Sequence, residues 1–482
     1  MASKTTLNAA NLEALGAVRL AALLMEISEG NAVIKRRLRL ELAGEQSPAE
    51  VARQIRKRLQ TIARSHSFVD WQNRKALVDD LQAQRRAIVD QVAKRTPAEA
   101  LDLMWRFLEL AKPVLERADD SNGAIVGVFQ AAVEDLGDIA EAARPDPTQL
   151  ADETFRALLQ NEYGQYDGLI QTLAPALGPV GLDHLKQRLV ALSQEPVSKP
   201  AGKDRRIIGY GAGGPLYADE MAARARATSI RLALQRIADA QGDVDAFIAQ
   251  YDEPARKLPR IAAAIARRLL AAGRAEEAWQ IIEAAKRPRY SWPEFEPDFE
   301  WEDTRIDVLE ALGRSDEAQA ERWSCFERFL SVRHLRGYLK RLPDFDDFEA
   351  EQRALGDVER HGNLLLAIRF LVLWPALDRA AKITVERAGN LDGNYYEILT
   401  PASEALAAKY PLAATLMLRA MIDFALAKNR SSRFGHAARH LRTCAALAPV
   451  IAEWGPFETH DAYVARLRRE HGRKTSFWAT AA

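Results

Sequence analysis

The chain lacks most of what marks a secreted, membrane-spanning or electrostatically one-sided protein. Among its 482 residues there are two cysteines, Cys325 and Cys444. Two thiols so far apart make no disulfide framework and fit a reducing, cytoplasmic compartment. The first residues show no basic start followed by an apolar stretch, so no secretory signal is expected. The most apolar run, residues 364–377, is interrupted by Arg369 and falls short of the ~20 residues that span a bilayer. It reads as a buried helix. Net charge is also missing, since 67 basic residues face 67 acidic ones. The whole molecule therefore has no pull toward nucleic acid or anionic membrane, and only local patches could supply one. Thr and Val are sparse beside Ala, Leu, Arg and Glu, which favours helix over sheet. Hydrophobic residues at 48% exclude global disorder.

What is present is helical periodicity. Residues 258–286 read as two short amphipathic helices joined at Ala272-Gly273-Arg274. The turn returns at residues 311–318, where Gly313, Arg314, Glu317 and Ala318 match Gly273, Arg274, Glu277 and Ala278 at an offset of 40. A helix–turn–helix unit recurring at that interval marks a helical solenoid. The expectation is an all-α helical-repeat fold with essentially no β-sheet.

Residues 11–42 predict an αα-hairpin broken at Gly30-Asn31, with Arg36, Arg37 and Arg39 on its second helix. Ser47-Pro48-Ala49-Glu50 and Thr96-Pro97-Ala98-Glu99 are strong helix starts, with a capping side chain, proline at the first position and glutamate at the third. A helix is expected over 68–92. Residues 196–217 carry three prolines and five glycines and form the longest non-helical stretch. They place the domain boundary: helical hairpins over 1–195, a linker over 196–217, and a solenoid over 218–482. Residues 434–447 and 461–471 predict the last helices.

The pattern L-x-x-x-G-R-x-[ED]-E-A resembles tetratricopeptide repeats, whose unit is shorter at about 34 residues. The N-terminal hairpin, the segment SHSFVDWQNRKALVDDL, and HAARHL with YVARLRREHGRKTSFW resemble the helical region beside SWIM zinc fingers in bacterial proteins. They also resemble an uncharacterised bacterial family of unknown function. The zinc finger needs C-x-C and C-x-H, and two distant cysteines cannot supply them. The resemblance implies an all-helical fold and no activity.

Several constellations remain. Gly209 to Gly214, GYGAGG, has the glycines of a phosphate loop but not the strand before it or the helix after it. It reads as linker. His436 and His440 lie one turn apart, as zinc ligands can, but Ala437 stands where a zinc protease has glutamate. No metal and no cofactor are expected. Arg430, Ser431, Ser432 and Arg433 precede that helix. They form either an anion- or partner-binding pocket at its N-terminus or a capped polar turn. Residues 53–95, with Arg56, Lys57, Arg58 and Lys75 and with Phe68 and Trp71 interleaved, form either a nucleic-acid stripe or a solvated face. Residues 466–474 allow the same two readings. Tyr290, Trp292, Phe295, Phe299 and Trp301 form a recognition surface or pack a connector.

The reading taken is a non-catalytic scaffold in the cytoplasm that binds a protein or peptide partner and no membrane. Nucleic-acid binding through 53–95 and 466–474 is the alternative, and an enzyme with an unrecognised site the second.

Overall fold

The computed structural model describes residues 6–30, 34–35, 38–39, 42, 47–196, 205–211, 214–289 and 297–481. Helices account for nearly all of the secondary structure among them. Two compact units divide the chain, Met1–Asp252 and Glu253–Ala482. Each carries its own apolar core.

In the second unit most helices pack on the next, and several also pack on the next but one. Pro259–Ala271 meets both Ala275–Ala284 and Glu300–Ala311. Leu364–Leu373 meets both Leu377–Glu386 and Tyr396–Leu406, and Leu377–Glu386 meets Pro411–Ala427. That is the neighbour pattern of stacked helix hairpins. Residues 364–371 are buried except for Arg369, as the apolar run predicts.

The repeated turn is the same object atom for atom. Gly273 and Gly313 sit at φ +74° and +71°, where a side chain is strained. The next N–H then folds back on the ended helix: Arg274 N donates to Leu269 O and Arg314 N to Leu309 O, each at 2.8 Å. Both arginines grip the glutamate three residues on through two hydrogen bonds of 2.6–2.7 Å. Ala278 and Ala318 are fully buried where the new helix meets the old. The wrap recurs where the sequence showed no repeat. Ala376 N donates to Leu371 O at 2.8 Å and Arg430 N to Ala425 O at 3.0 Å, the latter with Asn429 in the left-handed region. In the first unit, Asp243 N closes on Ala238 O at 2.9 Å after Gly242.

Several expectations change. Residues 207–217 are not a loose linker. Ile207–Gly211 pairs antiparallel with Gly214–Tyr217. Ile207, Ile208, Tyr210 and Tyr217 favour extended backbone. Arg205 clamps the base by stacking 3.8 Å over Tyr217 and pairing with Asp219 and Glu220. The compact first unit runs past this hairpin to Asp252, because Ala218–Gln241 packs on Leu169–Gln194.

The helix expected from residue 68 starts at Arg74, since Asp70 accepts from the backbone of Gln72 and Asn73 in a turn and Val69 N donates to Arg117 O. Its last turn widens into a π-helix, Ile88–Ala93. Ser47 caps its helix, with Oγ accepting from Glu50 N at 3.2 Å. Thr96 does not: its hydroxyl donates back to Val92 O. The second helix of the first hairpin falls mostly outside the described residues, as do Tyr290, Trp292 and Phe295.

Candidate functional site

The basic segment 53–95 is neutralised in part by acids of its own unit. Arg56 pairs with Glu99 and Asp102 at 3.0 and 3.3 Å. Arg58 pairs with the buried Asp80, Arg85 with Asp135, and Arg53 with Glu50. Lys57 and Lys75 are exposed, as are Phe68 and Trp71. At the C-terminal basic stretch, Arg466 is shared among Asp423, Glu458 and Glu470, and Lys474 donates to Leu426 O and Asn429 Oδ1. Part of the positive charge at both stretches is thus offset within the unit that carries it.

The turn at residues 430–433 is a single 3₁₀ turn, Ser431–Arg433, before the helix Phe434–Leu447. Arg430, Ser431 and Ser432 are exposed. Arg433 reaches Asn394, with Nη1 donating to Oδ1 at 3.1 Å and to the carbonyl at 3.4 Å. Its guanidinium stacks 4.8 Å over Tyr396. His436 Nδ1 lies 2.7 Å from Arg439 Nη2 and so serves as an acceptor. Burial, with His436 and Arg439 nearby, holds His440 below the usual imidazole range. Among the described residues no group of three or more His, Cys, Asp or Glu side chains is placed to hold a metal. Burial pushes the Cys325 and Cys444 thiols up to about 12, leaving both unreactive at neutral pH.

Two arrangements were not visible in the sequence. The first is a hydrogen-bonded string, Ser331–His334–Asp303. Ser331 Oγ is 2.7 Å from His334 Nδ1, and His334 Nε2 is 3.1 Å from Asp303 Oδ1. With Nε2 protonated toward the carboxylate, Nδ1 accepts from the hydroxyl. Ser331 also caps the helix Val332–Leu339, accepting His334 N–H at 3.5 Å. The imidazole is buried edge-on against Phe299 at 4.8 Å. The string ties this helix to Glu300–Ala311.

The second is an aromatic surface beside the Gly313 turn. Trp323 and Tyr338 lie 5.0 Å apart, and Arg353 stacks 4.4 Å over Trp323. They line an open cavity of about 820 Å³ together with Arg341, Leu342 and Pro343. The chain then turns at Phe345, which is 88% exposed and held at φ +77°. A bulky side chain in that region is rare and strained. Phe348, on the first turn of Asp346–Arg360, is 64% exposed. Asp344, Asp346, Asp347 and Glu349 flank the two residues in sequence and are exposed. A sequence reader sees only a helix start here, because strain and exposure are properties of the folded turn.

The fold and these surfaces define a helical-repeat protein. Among the described residues, no helix is long and apolar enough to cross a membrane. The chain belongs to a family of unknown function, DUF6880, whose model matches residues 2–480. No curated protein matches it. A solved structure described as a "Circular tandem repeat protein with novel repeat topology and enhanced subunit contact surfaces" is similar at 14% identity, over 93% of this chain and 97% of that one, with a TM-score of 0.14. A TM-score of that size is not a shared fold, and the architecture stands on the packing described above.

Proposed function

We propose that this is a non-catalytic, cytoplasmic scaffold, TPR-like in its repeat turns, that binds a protein or peptide partner. The observation that supports the reading is Phe345, a strained and almost fully exposed aromatic on an otherwise ordered turn. Strain of this kind persists where function requires it. Phe348 is exposed too, acidic residues flank both rings in sequence, and the cleft lined by Trp323, Tyr338, Leu342 and Pro343 ends two residues before Phe345. Such a surface suits a segment with apolar residues flanked by lysine or arginine. The exposed Arg430, Ser431 and Ser432, with the half-buried Arg433 and with His436 and His440 on the helix that follows, are a second candidate contact for an acidic group of the same partner.

The test is cross-linked capture from the source cell with full-length protein as bait, read by mass spectrometry. The Phe345→Ala/Phe348→Ala double variant is expected to melt as the wild type does and to lose the specific partner. Recovery of the same proteins by both baits would sink the reading.

A further inference from the structure

The helix Pro411–Ala427 is almost wholly apolar and buried, yet Arg419 stands in its middle. Arg419 is 6% exposed. Its Nη1 donates to Glu458 O at 2.7 Å, while Nε and Nη2 have no acceptor among the described residues. The guanidinium faces are covered by Trp454 at 4.8 Å and Tyr463 at 4.3 Å. The neighbouring carboxylates are committed elsewhere. Asp423 accepts from Tyr463 Oη at 3.0 Å and from Arg466 at 3.3 Å, and Glu458 accepts from Arg466 at 3.0 Å. Arg419 is thus a buried cation without a carboxylate partner, an arrangement that costs several kcal/mol as a rule. Burial weakens its hold on the proton.

The same side chain lines a cavity of about 770 Å³ in the second unit. Phe424, Phe457, Leu391 and Leu416 give the cavity apolar walls, and Lys428 and Arg466 add positive charge. Its rim at Gly393 lies flush on the helix, since a Cβ there would stand 1.9 Å from Ala420 O. The two unsatisfied nitrogens form the side-on edge of the guanidinium. There two N–H bonds run parallel at the spacing of two carboxylate oxygens. Both are shielded from bulk water, so engagement requires the guanidinium to turn toward the opening through a change of side-chain rotamer.

We propose that this cavity binds a carboxylate-bearing ligand with an apolar body, clamped by the Nε/Nη2 edge of Arg419. A monoanion fits better than a phosphate, because Asp423 and Glu458 also line the cavity and repel a second negative charge. The carboxylate can belong to a free organic acid or to the C-terminus of a peptide, and the experiment separates these.

Isothermal titration of the full chain uses 4-phenylbutyrate, its alcohol 4-phenylbutanol, a tetrapeptide ending in phenylalanine with a free or amidated C-terminus, and inorganic phosphate. At least one carboxylate is expected to bind about tenfold or more tighter than its uncharged counterpart, a difference of ~1.4 kcal/mol. Preference for phenylbutyrate identifies a free acid, and preference for the free-ended peptide identifies a chain terminus. In Arg419→Met the tenfold difference should vanish. Equal binding of acid and uncharged counterpart, tighter binding of phosphate, or a preference that survives in Arg419→Met would each overturn the proposal. Should the variant fail to fold, the wild-type comparison decides alone.

Discussion

Gly393 and Phe345 are opposite departures from ordinary backbone economy. Gly393 is required for space: a methyl group there would overlap the Ala420 carbonyl, which is backbone and cannot swing away. Gly393→Ala should therefore destabilise the protein by about 3 kcal/mol, the upper range for overpacking, as read by urea unfolding. Phe345 holds a conformation that suits glycine and buries almost nothing in return. Phe345→Gly should raise stability by about 1 kcal/mol, since strain is relieved and little burial is lost. A loss of stability instead would show that the ring packs against something in solution and is not free for a partner. Neither residue was legible beforehand. Asp346-Asp347 reads as a helix start, and nothing in the sequence sets Gly393 apart. Only the fold reveals what each one faces.

At the scale of elements, the repeat was legible where its chemistry repeated and hidden where it did not. Gly273-Arg274 and Gly313-Arg314 share residue types at equal spacing, so the two turns announce each other. The same wrap at Leu371–Ala376 and Ala425–Arg430 uses proline and asparagine in place of glycine and falls at other intervals, so no pattern exposes it. Gly273→Ala and Gly313→Ala should each cost about 1 kcal/mol, all of it backbone strain because a Cβ at either position meets nothing within 4 Å. Thermal unfolding of the two single variants should show nearly equal shifts.

The junction between Glu300–Ala311 and Val332–Leu339 has its own signature in pH. Burial raises the Asp303 pKa, but the His334 hydrogen bond and Arg333 outweigh it and hold the carboxyl below the usual aspartate range. A carboxyl depressed in the folded state stabilises fully above its unfolded pKa, about 3.9, and loses that contribution as pH falls through the folded value. Asp303→Asn should therefore be less stable than wild type near neutral pH. The two should draw together in urea melts as pH falls below about 3.9. A gap that stays constant across the range would mean that the charge on Asp303 is not what holds the junction.

For the whole molecule, part of the charge balance is achieved locally, and this favours the scaffold reading over nucleic-acid binding. The cations of residues 53–95 looked like a stripe because their partners lie far away in sequence: Glu99 and Asp102 for Arg56, Asp80 for Arg58, Asp135 for Arg85. Linear counting cannot see such pairings. Arg58 is the sharpest test because Asp80 is only 3% exposed. Removing the arginine takes its cation from a buried carboxylate that still has the Gln84 amide at 3.4 Å, and breaking a buried pair typically costs 3–5 kcal/mol, so about 3 kcal/mol is expected for a pair partly open to water. Were Arg58 a nucleic-acid contact, Arg58→Ala would instead leave stability near wild type, weaken binding to duplex DNA, and flatten its salt dependence by about one charge. The expected outcome is a clear drop in unfolding free energy, with binding to DNA weak at physiological salt in both proteins. Lys57→Ala/Lys75→Ala is the matching control, since both side chains are exposed and lie on the same segment. That variant should keep wild-type stability, and its DNA binding should differ little from wild type if the segment is a solvated face. Tight wild-type binding lost in the lysine variant would return the basic segment to function and make the scaffold reading secondary.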